Sequence, residues 1–112
     1  RGGNLSASSL EVLAIAAYNQ PVTRAFIDTV RGVDSAYAVG SLLDKELIAP
    51  VGRLDAPGRP MLYGTTEKFL RVFGLSSIKE LPEADSVLAA VDALANRNDE
   101  DGEAAEETES DE

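Results

Sequence analysis

Apolar residues recur along the chain at helical spacing in several stretches and at strand-like spacing in two. Leu10, Leu13, Ala14, Ala17 and Tyr18 form one i, i+3, i+4, i+7, i+8 stripe, opened at Leu5-Ser6 with Ser6 or the Ser8/Glu11 pair as N-cap. Val12, Ile15 and Ala16 are apolar as well, so this helix is hydrophobic round most of its circumference and has to be covered on more than one side. Burial in a small helical core and packing of a second face on a partner are the two ways to do that. After the extended link Pro21-Val22, Thr23 caps a helix carrying Phe26, Ile27 and Val30, and Gly32 offers an easy left-handed stop. Asp34 is the expected cap of the next helix, where Ala38, Val39, Leu42 and Leu43 face inward and Tyr37, Gly40, Ser41 and Asp44 face outward. Two short helices joined by a glycine-containing turn are a helix-turn-helix, here spanning 23–45.

Leu47 to Val51 and Met61 to Thr65 then read as short strands, the first made an edge by Pro50. Gly52, Pro57, Gly58 and Pro60 shape the loop between them into a wing. Thr66-Glu67 opens a further helix with Phe69, Leu70 and Phe73 inward, closed by Gly74, and Ser77-Ile78-Lys79-Glu80 is a capping box before Pro82. The expected class is α+β, mainly helical: a winged helix-turn-helix over 5–82 with a two- or three-stranded wing sheet. Residues 83–97 hold a short amphipathic pattern with Val87, Val91 and Leu94 on one face, marginal as a helix on its own. Residues 98–112, with nine acidic and no basic side chains, have the composition of a disordered acidic tail.

Charge changes what the wing and helix are expected to do. Residues 1–81 carry nine Lys/Arg against eight Asp/Glu, whereas 82–112 carry one against twelve, so the acidity belongs to the C-terminal stretch. The usual winged helix reads bases with Arg, Lys, Asn or Gln on the outward face of its second helix. Here that face offers Tyr37, Ser41 and Asp44, with Lys45 as the nearest cation, and a carboxylate is repelled by phosphates. Arg53 and Arg59 flank the wing and suit either a phosphate or a carboxylate on a protein partner, Arg24 and Arg31 lie on the helix before, and the plain reading of all four is surface charge paired with Asp28, Asp34 and Asp55. Direct DNA contact is therefore expected to be weak or absent, with a DNA-binding winged-helix regulator as the alternative reading.

The chain has no Cys and no His, which removes disulfides, Cys/His zinc sites and the commonest neutral-pH base. Ala56-Pro57-Gly58-Arg59-Pro60 lacks the Lys-Ser/Thr of a phosphate-binding loop, and no convergent catalytic set is visible. No cofactor, metal or enzymatic activity is expected, and the apolar run 12–18 is far short of the roughly 20 residues that a membrane span needs. The chain opens on Arg1 with no signal-peptide layout, which reads as a cytoplasmic fragment or processed chain preceded by a further domain.

Leu10-Glu11-Val12-Leu13-Ala14-Ile15-Ala16-Ala17-Tyr18-Asn19-Gln20-Pro21-Val22-Thr23-Arg24, then Arg31-Gly32-Val33-Asp34-Ser35, Pro57-Gly58-Arg59-Pro60, Tyr63-Gly64-Thr65-Thr66 and Phe73-Gly74-Leu75, closely resemble the segregation and condensation protein B family. The resemblance covers about residues 5 to 82, the second winged-helix domain of that family. It implies a non-enzymatic subunit of a bacterial condensin-like complex that binds the kleisin subunit, segregation and condensation protein A, and through it an SMC ATPase. It also implies homodimerisation through a first domain that this chain lacks, and a place on the nucleoid. Phe26, Tyr37, Gly40 and Glu46 depart from the family's more usual residues: Gly40 costs its helix about 1 kcal/mol against Ala, and Glu46 stands where a helix-ending glycine is common. Exposed aromatics are typical interface anchors, so the expected partner-binding residues are Phe26, Tyr37, Ser41, Arg53 and Arg59.

Overall fold

Capping side chains set most of the helix starts in the computed structural model, which describes residues 5–101. Ser6 caps α1 (Ala7–Asn19), its Oγ accepting the Ser9 N–H at 3.1 Å, which decides between the two expected caps. Thr23 caps α2 (Arg24–Arg31) through the Phe26 N–H at 3.0 Å, and Gly32 ends that helix at φ 78°. On α3 (Ala36–Asp44) the expected cap is displaced by one residue: Ser35 holds the N-cap position without a side-chain cap bond. Asp34 still caps from one position earlier, its Oδ1 accepting the Ala36 N–H at 2.7 Å. Ser35 is otherwise engaged, donating its N–H to Asp28 Oδ1 at 2.8 Å and accepting from Arg31 Nη1 at 2.9 Å.

The wing is an antiparallel pair, β1 (Ile48–Arg53) and β2 (Met61–Thr65), with Ile48 opposite Thr65 and Arg53 opposite Met61. β1 starts one residue later and runs two residues further than the sequence pattern indicated. The reason is a bulge: register shifts between Pro50 and Gly52, which takes up the residue after Pro50 and lets pairing resume. Val22 adds a single bridge on Tyr63, with backbone bonds of 3.0 and 2.7 Å, so the third strand is reduced to one residue pair. Gln20 completes this junction: its Oε1 accepts the Thr65 N–H at 2.9 Å, and its Nε2 reaches Thr65 Oγ1 at 3.0 Å and Ala17 O at 3.2 Å. A Cβ at Gly64 would stand 2.8 Å from Gln20 Oε1, so a larger residue there would displace the Gln20 amide from these bonds.

Thr66 caps the short α4 (Glu67–Val72), and a 3-10 turn (Ile78–Glu80) follows. α5 (Val87–Asp101) then packs along α1, with Ala90 and Leu94 buried in the same cluster as α1's own residues. This differs from the expected division at 97, since the helix begins at Val87 and continues to Asp101. Tertiary contacts supply what a marginal helix lacks: Asn98 Nδ2 donates to Val72 O at 3.4 Å and Arg97 Nη2 to Gly74 O at 3.0 Å, tying the last turns of α5 to the end of α4. Residues 102–112 of the expected acidic tail lie outside the described residues.

α1 is the axis of the core, with Val12, Leu13, Ala14 and Ala16 all at 0% exposure. Phe69 and Phe73 pack beside it in the cluster with ring centroids 5.0 Å apart and planes tilted by 34°. The helix expected to need covering on more than one side is thus covered by its own chain, with α2, α3 and β2 contributing as well as α5. What α1 leaves open lies toward its ends, where Ala7, Ser8 and Asn19 are exposed and Tyr18 is half-buried.

Candidate partner-binding surface

The amphipathic pattern of α3 turns Ala38, Val39 and Leu42 into the core. The opposite side is bare: Tyr37 is 90% exposed and shares a shallow depression with Gly40, Ser41, Asp44 and Lys45. Gly40 leaves room, since a Cβ there would meet nothing within 4 Å. Lys45 Nζ leans back on Ser41 Oγ at 3.5 Å. The surface therefore offers one aromatic ring, a hydroxyl and a balanced pair of charges.

Of Arg24, Arg31, Arg53 and Arg59, the first two are tied into the fold by ion pairs. Arg31 bonds Glu11 at 2.7 Å, Ser35 at 2.9 Å and Ser8 at 3.4 Å, which fastens the turn of the helix-turn-helix to α1. The expected partner was an aspartate, but α1 passes close enough for Glu11 to take that place. Arg24 does pair with Asp28 at 3.4 Å and Asp34 at 3.9 Å. Arg53 donates from Nη1 to Arg59 O at 2.9 Å across the wing, and Arg59 sits at φ 44° in the tip. Neither Arg53 nor Arg59 has an ion pair among the described residues.

The five candidate residues thus fall into three places: Tyr37 with Ser41 on α3, Arg53 with Arg59 at the wing, and Phe26 apart from both on α2. Phe26, 42% exposed, lies instead in a groove with Val30, Tyr18 and the start of α5. The Tyr18 hydroxyl is buried there without a hydrogen-bond partner, and burial pushes its pKa above the ordinary value. Sequence reasoning placed Tyr18 in the core stripe and missed the groove, because the groove's third wall depends on where α5 docks.

Residues 1–84 match the family model described as segregation and condensation complex subunit ScpB. The chain belongs to that family. The segregation and condensation protein B of Clostridium tetani is 58% identical over 85 residues, covering 76% of this chain and 45% of the relative. That of Syntrophotalea carbinolica is 52% identical over 105 residues, 85% of this chain and 53% of its own. The crystal structure of ScpB from Mycobacterium tuberculosis superposes with a TM-score of 0.61 at 44% identity, over 65% of this chain and 45% of that one. The chain spans about half the length of the curated relatives it matches. Its α+β winged-helix architecture agrees with this ScpB neighbour. Among the described residues no cluster of His, Cys, Asp or Glu is placed to hold a metal ion, and no helix is long and apolar enough to cross a membrane.

Proposed function

We propose that this ScpB domain is the protein-binding part of a non-enzymatic subunit of a bacterial SMC–kleisin complex, acting on the nucleoid in chromosome segregation and condensation by holding the kleisin subunit, segregation and condensation protein A. The observation that carries this reading is the outer face of α3, where a winged helix that reads DNA needs cations and this one presents Tyr37, Ser41 and Asp44. A 90%-exposed tyrosine on a rigid helix provides large, low-entropy contact area of the kind that anchors interfaces. Arg53 and Arg59, held at the wing, are the remaining contacts proposed for acidic groups of the partner. Dimerisation, and the link to SMC through the kleisin, belong in this reading to the longer protein that contains the domain.

The test is co-purification of the kleisin with tagged full-length protein, as wild type and as Tyr37→Ala. Retention by the wild type and loss with Tyr37→Ala are expected. A wild-type protein that never retains the kleisin, together with a shift of duplex DNA at near-physiological salt abolished by Arg53→Ala and Arg59→Ala, would establish a DNA-binding regulator instead.

A further inference from the structure

A groove of about 310 Å³ runs where α1, α2 and the start of α5 meet, separate from the outer face of α3. Tyr18 lines it from α1, Phe26 and Val30 from α2, and Asp85, Val87 and Ala90 from the bend before α5 and its first turns. Phe26 and Val30 are 42% and 39% exposed, so large apolar surface is left open inside a concavity rather than scattered. Tyr18 contributes to the wall while its hydroxyl is itself buried without a hydrogen-bond partner. Asp85 is exposed with no ion pair among the described residues, while the nearby α2 cations Arg24 and Arg31 are bonded to Asp28, Asp34 and Glu11.

The volume is at the lower limit of about 300 Å³ for small-molecule pockets, room for one large side chain rather than a cofactor. The chain's own residues 102–112 do not suit it, since they hold six acidic side chains, no basic ones and nothing large and apolar. Part of the lining, from Asp85 onward, also lies beyond the stretch 1–84 matched by the family model, so the groove owes its shape to α5.

We propose that this groove receives a single aromatic or branched aliphatic side chain from a segment of a partner protein, with a neighbouring Lys or Arg of that segment on Asp85. This rests on reading the domain as a protein-binding module, and adds a second surface to it. The probes are two capped tetrapeptides, lysine-phenylalanine-leucine-lysine and its counterpart with glutamates in place of the lysines, titrated into the isotope-labelled 112-residue chain and followed by NMR. Backbone signals of Ala14, Ala84 and Ala90 shift, and the lysine peptide binds about threefold to fivefold tighter, as expected for one exposed ion pair. Asp85→Asn erases that difference, and Phe26→Asp removes the shifts. Absence of shifts up to millimolar peptide, equal affinity for the two peptides, or shifts confined to α3 overturns the proposal. Groove signals that move with protein concentration alone overturn it too, by making a second copy the occupant. Kleisin retention does not depend on these peptides, so failure of the proposed function and failure of the groove are told apart.

Discussion

α1 and α3 are both apolar helices of one small domain, but the chain covers the first and leaves the second half-naked. α1 buries seven of its 13 residues, including the consecutive run Val12 to Ala17, whereas α3 buries three of its nine. The difference is made by the C-terminal helix. α5 returns along α1 and presses Ala90 and Leu94 onto it, while nothing in the described residues returns over Tyr37, which is 90% exposed. An all-round apolar helix therefore signals internal coverage here, and the proposed functional signal is the smaller one, a lone exposed aromatic on α3.

The comparison breaks most sharply at α5. Leu94→Ala deletes a fully buried side chain from the α1 contact and is expected to cost about 3 kcal/mol in chemical denaturation, whereas Leu88→Ala, at a 71%-exposed position of the same helix, stays within about 0.5 kcal/mol. Equal effects would mean that α5 does not cover α1. On α3 the expectation is inverted: Tyr37→Ala leaves the melting curve within about 0.5 kcal/mol of wild type but weakens kleisin binding by about 2 kcal/mol, roughly thirtyfold, in calorimetry on the full-length protein.

Smaller effects sharpen the same contrast. Tyr18→Phe removes the buried unpaired hydroxyl and should stabilise the fold by about 1 kcal/mol. The sign of its pH dependence is fixed by the raised pKa: the unfolded chain releases the Tyr18 proton first, so this contribution is intact below pH 10 and is lost as pH rises through the folded value. Urea midpoints measured across that alkaline range should fall less steeply for Tyr18→Phe than for wild type. Smallest is Glu46→Gly, at the end of α3. Two helices close by the same pair of bonds: Gly74 N–H to Arg71 O and Leu75 N–H to Leu70 O on α4, Glu46 N–H to Leu43 O and Leu47 N–H to Leu42 O on α3. Gly74 takes φ 69° freely, whereas Glu46 takes φ 63° with a side chain that disfavours it. Replacing Glu46 by glycine is expected to stabilise by about 0.5 kcal/mol after the unfolded-state entropy is counted, visible as a small rise in Tm.

Legibility followed the range of the interactions involved. Caps at Ser6, Thr23 and Thr66 and the stops at Gly32 and Gly74 were readable because each depends on residues within one turn. The outward set on α3 was readable because three inward positions fix the rest of the helix. What could not be read depends on contacts between distant parts of the chain. The bulge at β1 arises from pairing with β2, and Glu11 reaches Arg31 only once α1 and α2 have packed. α5 persists to Asp101 because Asn98 and Arg97 find carbonyls of Val72 and Gly74 some two dozen residues earlier. The left-handed Glu46 shows the same order of precedence: the fold needs the turn there, Thr66 Oγ1 donates to the Glu46 carbonyl at 2.7 Å, and local preference gives way.

The central claim is that the outer face of α3 meets protein and not nucleic acid. Its most direct test is NMR mapping of the backbone amides of Tyr37, Gly40 and Ser41 in the full 112-residue chain, titrated at physiological salt with the kleisin's middle segment and separately with duplex DNA. Shifts at these three positions are expected with the kleisin segment and none with DNA. Shifts there with DNA, and none with the kleisin segment, would contradict it.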